Sequence, residues 1–219
     1  MSQRKVDYAD DAEIDATLDE LPDEETLDRT VENLEANGFE VVVVDAAAAD
    51  ALETITSEIP AGASVMNGHS TTLEEVGFDE YLSEGEHDWE SLPDRIRSID
   101  DDEKRQAARR ESQTADYFVG GINAVSRTGE LVAADLSGSR IGAYPFAAGN
   151  VLIVTGTNKI VPTLDDALDR LESVAYPLEN ERAQEAYGAE SAIAKQLIFR
   201  READEGRTTV VLVREQLGY

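Results

Sequence analysis

In the first third of the chain, apolar residues at helical spacing alternate with short uninterrupted apolar runs. Leu27, Val31 and Leu34 recur with the spacing of a helix, and Asn37-Gly38 is typical of a helix end. A run of four valines then indicates a buried strand, after which a helical and a strand pattern follow. The predicted order is helix, strand, helix, strand over residues 23–38, 41–44, 46–58 and 64–66. This arrangement predicts a parallel sheet.

The second half of the chain adds strand patterns separated by glycine-containing turns. Short apolar stretches predict strands over residues 117–119, 124–125, 131–134, 151–155, 193–199 and 208–213. A turn at 204–206 joins the last two, and the stripe of Leu164, Leu168, Leu171 and Val174 predicts a helix before them. The predicted fold is a single α/β domain with a mainly parallel sheet flanked by helices.

Two segments differ in composition from these predicted elements. Residues 1–22 mix acidic residues with few large apolar ones, which predicts an acidic tail or a loosely packed helix ahead of the main domain at 23–219. After a short helix predicted at 71–76, residues 79–111 are rich in charge, irregular at first and then helical, and contain the single tryptophan, Trp89. We interpret this second segment as a lid-like surface excursion.

Acidic residues dominate the charge, with 47 Asp and Glu against 19 Lys and Arg and a formal net charge of -28. The acids are spread along the whole chain, so their mutual repulsion opposes compaction in dilute salt. At about 1 M salt the Debye length falls to roughly 3 Å and screens this repulsion. We therefore expect the salt-adapted protein of a haloarchaeon-like halophile; an ordinary acidic protein with a disordered tail is the alternative. The scarcity of clustered Lys and Arg argues against a broad nucleic-acid-binding surface.

The chain contains no cysteine. It can therefore form neither a disulfide nor a cysteine-ligated iron–sulfur cluster or zinc site, and its two isolated histidines do not make a metal motif. We expect no cofactor in this chain, so that any redox cluster belongs to a partner subunit. The polar first residues and the lack of a long apolar stretch predict a cytoplasmic protein without membrane insertion.

The first candidate site follows the strand predicted at 64–66, where a helix begins. In parallel α/β sheets ligands favour this edge, and free N–H groups at a helix start attract carboxylate or phosphate. The residues that such a ligand could contact are Asn67, Gly68, Ser70 and Thr72. His69 could donate a hydrogen bond to it or exchange a proton with it. A capping box that merely starts the helix, beside a solvated histidine, explains the same residues.

A second candidate site combines Gly121 and Asn123 with Glu130. Glycine permits close backbone approach, and the asparagine amide both donates and accepts hydrogen bonds. Glu130 could act as a base or nucleophile in a buried site. An ordinary turn between strands and a solvated glutamate are the alternative, and no G-x-G-x-x-G motif opens a helix here.

A third candidate site is basic. Arg140 and Lys159 stand beside small polar residues in a chain poor in bases, and Asn158 precedes the lysine. Convergence on an anionic ligand would explain these residues, whereas pairing with one of the abundant carboxylates is the alternative for each base. The sequence thus predicts a site for a small carboxylate or phosphate that holds no metal.

Several ordered segments between residues 23 and 219 resemble the LUD-domain family, in particular its lactate-utilisation C-type proteins. The first is a Ser-x-Thr-Leu-x-Glu-x-Gly pattern that ends at Gly77. The others are residues 115–118 with 123–124, 128–131, 158–161, 191–195 and 210–218. Two features depart from the family pattern. Gly138-Ser139-Arg140 stands where many relatives have Gly-Asn-Arg, and the cysteine-rich tail of some relatives is missing.

The resemblance implies a fold similar to the superfamily of glucosamine-phosphate isomerase, ribose-phosphate isomerase and CoA-transferase. It also implies a role in oxidising lactate to pyruvate beside iron–sulfur oxidoreductase subunits, as a subunit or accessory that binds a small anion. Two other hypotheses stay open: a free-standing isomerase or CoA-transferase-like enzyme that uses Glu130, and a ligand-binding module without turnover. A homo-oligomer is compatible with all three.

Overall fold

A computed structural model of the chain describes residues 12–45 and 48–219. The strands in this part are β1 (Glu40–Val44), β2 (Ser64–Asn67), β3 (Glu90–Ser91), β4 (Tyr117–Gly120), β5 (Ala124–Ser126), β6 (Leu131–Asp135), β7 (Asn150–Gly156), β8 (Ile160–Val161), β9 (Lys195–Phe199) and β10 (Thr208–Val213). The α-helices are α1 (Glu24–Ala36), α2 (Ala48–Glu58), α3 (Thr71–Glu75), α4 (Phe78–Glu84), α5 (Leu92–Arg97), α6 (Asp102–Glu111), α7 (Leu164–Arg170) and α8 (Tyr176–Tyr187).

Six strands form a parallel sheet in the order β1-β10-β7-β4-β2-β3. Every residue of β10 is buried, which explains the continuous apolar run of this strand. Val210 and Leu212 enter a core shared with α1 and the second sheet, whereas Val211 and Val213 enter a core shared with α2, α3 and α4. The prediction of a single α/β domain with a mainly parallel, helix-flanked sheet is confirmed.

The other four strands form a smaller mixed sheet in the order β8-β5-β6-β9. The pairs β5–β6 and β6–β9 are antiparallel, and β5–β8 is parallel. The two strands predicted to close the chain are both present but belong to different sheets. Three of the five residues of β9 are exposed, which suits an edge strand, whereas β10 is apolar enough for the centre of the main sheet.

The charged segment predicted as a surface excursion, irregular at first and then helical, contains regular structure in its first part as well. It forms α4, the short edge strand β3, α5 and α6, and β3 pairs with β2. Trp89 anchors it: the indole Nε1 donates to Ile59 O at 3.2 Å, and the ring packs against Phe78 with centroids 6.4 Å apart. Helices of six or seven residues are too short to show a clear 3.6-residue period, so the sequence pattern does not reveal α4 and α5.

Residues 12–22, the described part of the predicted tail, are attached to the domain more closely than their composition predicts. Asp19 is buried and pairs with the fully buried Arg170, with Nη2 and Oδ1 2.6 Å apart. Asn158 donates to the same carboxylate oxygen at 2.8 Å. Residues 1–11 lie outside the described part. No helix of residues 12–45 and 48–219 is long and apolar enough to cross a membrane.

Candidate functional site

A pocket of about 460 Å³, called the edge pocket below, opens beside the carboxyl edge of the main sheet. The loops after β2 and β4 and the segment after β6 form one side, and residues 171–175, α8 and residues 189–193 form the other. Small-molecule sites usually measure about 300–1,000 Å³, so the volume suits a ligand. The predicted site residues that line the pocket are His69, Ser70, Asn123 and Arg140.

The helical side of the edge pocket contains a π-helical turn. Helices α7 and α8 continue into each other through Leu171–Ala175, and the flanking residues keep right-handed helical backbone angles. Pro177 has no N–H to donate to the preceding turn, which favours a wider turn at this position. Leu171 and Ala175 both line the pocket, so the π-helical turn shapes its wall.

Arg140 is held in the pocket wall by acceptors on four residues. Its backbone N–H and its Nε donate to the two carboxylate oxygens of Asp135 at 2.8 and 3.2 Å. Nη2 donates to Asn123 Oδ1 at 3.2 Å and to Ala134 O at 2.7 Å, whereas Nη1 makes a longer contact of 3.5 Å with Gly121 O. The guanidinium group is therefore fixed in orientation, and Nη1 is its least engaged nitrogen.

A second arginine of the pocket, Arg182, forms a bidentate pair with Glu179. Nε and Nη2 donate to Oε2 and Oε1 at 2.8 and 2.7 Å. The Tyr219 hydroxyl donates to Glu179 Oε2 at 2.8 Å, and the Tyr187 ring centroid lies 5.4 Å from Arg182 Cζ. Burial acts to raise the pKa of Glu179, but the hydrogen bonds and charge of Arg182 outweigh it, and the pKa is lowered. Glu179 is therefore ionised at neutral pH and neutralises Arg182.

His69 lies in the mouth of the pocket, with its Nδ1 3.4 Å from Glu74 Oε1. Part of the ring reaches solvent, but burial of the rest, followed by the charges of Arg182 and Arg140, lowers its pKa to about 4. Burial, with a smaller contribution from Asp79, raises the pKa of Glu74 to about 7. His69 is thus neutral at pH 7, where one ring nitrogen can donate a hydrogen bond to a ligand and the other can accept one.

The raised pKa of Glu74 predicts a pH-dependent gain in stability for Glu74→Gln. The folded carboxyl has a pKa of about 7 against 4.5 for the ordinary group, so its ionisation destabilises the folded chain as the pH rises from 4.5 to 7. At about 1.4 kcal/mol per pKa unit, reduced because the side chain is partly exposed, we expect the variant to gain about 1–2 kcal/mol at pH 8 and almost nothing at pH 4. Urea unfolding at both pH values measures this.

Glu80→Gln is the matched control for Glu74→Gln, because Glu80 is a nearby but exposed glutamate. Its substitution should change the free energy of unfolding by less than about 0.5 kcal/mol at either pH. An equal gain for Glu74→Gln at pH 4 and pH 8 would mean that its ionisation carries no such penalty.

The remaining candidates after β2 and β4 have mostly structural contacts. Ser70 caps α3, accepting from Leu73 N at 3.4 Å, and also lines the pocket, so its capping role is observed and its contact with a ligand stays a prediction. Gly68 leaves room for Arg140, because a β-carbon there would lie 3.0 Å from the arginine Cγ. Gly121 packs directly against Ser70 Oγ and similarly has no space for a side chain. The Asn67 amide donates to Asp79 Oδ1 at 2.7 Å.

Lys159, Asn158 and Thr72 lie below the edge pocket, and none of them lines it. Lys159 is 1% exposed, and its Nζ donates to Thr72 Oγ1, Ile122 O and Tyr219 O at 3.0, 3.1 and 3.1 Å. Asn158 is fully buried between Asp19 and the backbone N–H of Leu217. Arg140 therefore lines the edge pocket and Lys159 does not, although the two side chains contact the adjacent carbonyls of Gly121 and Ile122.

Glu130 lies in the turn between β5 and β6 and does not line the edge pocket. Its carboxylate accepts from Thr128 Oγ1 at 2.5 Å and from the exposed Arg200 Nη1 at 3.3 Å. The neighbouring Gly129 packs against α1, because the Asn37 amide donates to its carbonyl at 3.0 Å. The structure thus does not bring Glu130 together with His69 or Arg140.

Glu179, Arg182 and Tyr219 line the pocket but belong to none of the predicted candidate sites. Glu179 and Arg182 have the spacing of an ordinary surface ion pair on a helix. One sequence feature could have revealed them. Both residues lie on the same helix face as the predicted stripe of Leu164 to Val174, and this position indicates burial. Among the described residues, no group of three or more His, Cys, Asp or Glu side chains is placed to hold a metal ion.

Comparisons with known proteins agree with this architecture. A search of curated proteins finds no match. A crystal structure of a DUF162 family protein from Deinococcus radiodurans superimposes with a TM-score of 0.51 and 15% sequence identity, over 89% of this chain and 99% of that one. At this identity the likeness shows the fold alone. The LUD domain, a family associated with lactate utilisation, matches residues 27–213. Because this match covers most of the chain, the chain belongs to the LUD-domain family.

Proposed function

We propose that the edge pocket binds a small monoanionic carboxylic acid, lactate or pyruvate, and that the chain is a subunit or accessory of an iron–sulfur assembly that oxidises lactate. The association of the LUD domain with lactate utilisation supports the pathway. The observation that carries the ligand class is Arg140, a partly buried and oriented guanidinium group in the wall of a pocket of about 460 Å³.

The hydrogen bonds of Arg140 suit carboxylate recognition. Asp135, Asn123 and Ala134 hold Nε and Nη2, so the protein itself fixes the plane of the guanidinium group. Nη1, with its one long contact of 3.5 Å, is the nitrogen that can donate to an incoming carboxylate oxygen. A charge-assisted bond of this kind is stronger than a neutral one, and the fixed orientation reduces its entropic cost. The neutral His69 supplies a partner for the 2-hydroxyl or 2-oxo group.

The charge balance of the pocket favours a monoanion over a phosphate. Asp135 neutralises Arg140, and Glu179 neutralises Arg182, so the two pairs together add no net positive charge. Glu190 also lines the pocket and adds a negative charge. A phosphate group carries about -2 at pH 7 and would meet this surface without compensation. A sugar phosphate or a CoA derivative is therefore the less favoured ligand.

The proposed electron transfer depends on a partner. The chain has no cysteine, so its residues do not fit a cysteine-ligated cluster, and iron–sulfur subunits would have to supply the electron acceptor. In such an assembly this chain holds the acid and positions its 2-hydroxyl group. The alternative of a free-standing isomerase or transferase that uses Glu130 loses its support, because Glu130 lies away from the pocket.

Thermal shift measurements with Arg140→Gln test the proposal. In about 2 M KCl, which screens the net charge of -28, lactate or pyruvate should raise the Tm of the wild-type protein while inorganic phosphate at equal ionic strength should not. Arg140→Gln should abolish the shift. The control is Arg200→Gln, which removes an arginine paired with Glu130 outside the pocket and should leave the shift unchanged. A shift with phosphate alone would contradict the proposed ligand class.

A further inference from the structure

We infer that the edge pocket takes 2-hydroxy and 2-oxo acids with apolar side chains longer than a methyl group. This inference rests on the proposed function, because it assumes that Arg140 holds the carboxylate. It concerns the part of the pocket that a three-carbon acid leaves unfilled.

The size of the pocket is the first argument. Its volume of about 460 Å³ lies in the range of sites that enclose drug-sized ligands. Lactate is far smaller than such ligands. Bound at Arg140, it would leave most of the pocket to water.

The chemistry of the wall is the second argument. Aliphatic side chains line much of the pocket, among them Ile122, Ala134, Leu171, Ala175, Ala183 and Ile193. The small alanines create the space, and the π-helical turn contributes Leu171 and Ala175. Water against such a wall lacks hydrogen-bond partners, so an apolar ligand group that displaces it improves binding.

The third argument is that the polar groups of the pocket suit one acidic end of a ligand but not a second. Arg140 and His69 can bind the carboxylate and the 2-substituent, whereas the second arginine is already saturated on its Glu179 side by two hydrogen bonds. Because Glu179 neutralises Arg182, a second anionic group would meet an ion pair without net positive charge. The side chain of the ligand should therefore be apolar rather than a second carboxylate.

Calorimetric titration in about 2 M KCl with lactate, 2-hydroxy-4-methylpentanoate, 3-phenyllactate and malate tests the inference. Each buried methylene improves binding by about fourfold, so the methylpentanoate and phenyl acids should bind at least about tenfold more tightly than lactate. Malate, whose side chain carries a second carboxylate, should bind more weakly than either. Plain 4-methylpentanoate, which lacks the hydroxyl, should bind more weakly than its 2-hydroxy form.

Variants that fill the apolar part of the edge pocket test the effect of pocket size on affinity independently of carboxylate binding at Arg140. Ala183→Leu on α8 and Ala192→Leu on the pocket rim should each reduce the affinity for the long acids at least fivefold and leave lactate nearly unchanged. Ala192 is exposed, so its substitution does not threaten folding. The control is Ala186→Leu, on the same helix as Ala183 but exposed and outside the pocket lining, which should change neither affinity.

The outcomes distinguish this inference from the function on which it rests. If lactate binds and is lost in Arg140→Gln but the long acids bind no better, the inference fails and the proposed function stands. If none of the acids binds, the proposed function fails as well. If the long acids bind more tightly than lactate but neither Ala183→Leu nor Ala192→Leu weakens their binding, the long acids bind outside the apolar part of the pocket. This result would overturn the inference.

Discussion

Replacing Asp19 by alanine is expected to lower the free energy of unfolding by about 3–5 kcal/mol, because it leaves the guanidinium group of Arg170 buried without its carboxylate. Arg170 is fully buried, and Asp19 is 4% exposed. The carboxylate also accepts from the side-chain amides of Asn158 and Gln216 at 2.8 and 3.0 Å. Guanidinium chloride unfolding in concentrated salt, followed by circular dichroism, measures the loss.

Two further variants identify the buried charge as the cause. Glu20→Ala removes the adjacent but exposed carboxylate and should cost less than about 0.5 kcal/mol. The double variant Asp19→Ala with Arg170→Met removes both charges and should be more stable than Asp19→Ala alone. A loss for Asp19→Ala no larger than that for Glu20→Ala would show that residues 12–22 are not anchored in solution as the structure describes.

Lys159→Met is expected to lower the free energy of unfolding by about 3 kcal/mol. The ammonium group donates to Thr72 Oγ1, Ile122 O and Tyr219 O, and its loss leaves buried acceptors without a donor. These partners tie the loops after β2, β4, β7 and β10 together below the edge pocket. Denaturant unfolding measures the cost, and a thermal shift with lactate measures ligand binding on the same sample.

The matched control is Lys195→Met, since Lys195 is exposed and donates to a single carbonyl, that of Leu136, at 3.1 Å. It should cost less than about 1 kcal/mol. The opposite pattern for Lys159→Met, with unchanged stability and abolished ligand binding, would make Lys159 a ligand contact and contradict its structural role.

The main elements of the fold follow from the pattern of apolar residues. Four consecutive valines predict β1, and the run at 208–213 predicts β10. Burial on both faces explains the apolar run of β10 alone, whereas the prediction that β1 is buried is wrong, because β1 is an edge strand in which only Val44 is buried. Short elements carry less information. Helix α5 has six residues, less than two turns, and β3 has two, so neither shows a period. The position of β10 between β1 and β7 depends on contacts distant in sequence, which no local pattern contains.

The sequence predicts residues of the candidate site only in loops that follow strands. His69 and Asn123, predicted in two separate candidate sites, come after β2 and β4. Parallel strands bring their carboxyl ends to the same edge, so both residues line one pocket. Lys159 follows β7 at the same edge, but its side chain enters the core and donates to a buried carbonyl. The sequence does not show which carbonyls lie within its reach. Glu179 and Arg182 lie on a helix more than fifty residues beyond Asn123, and only packing of that helix across the edge places them in the pocket.

The measurement that tests the central claim most directly is a crystal structure of the protein with pyruvate, grown or soaked in concentrated KCl. We predict the pyruvate carboxylate in the edge pocket, within hydrogen-bond distance of Arg140 Nη1, with its 2-oxo group facing His69. Pyruvate bound outside this pocket, or an empty pocket at a pyruvate concentration that raises the Tm, would contradict the claim.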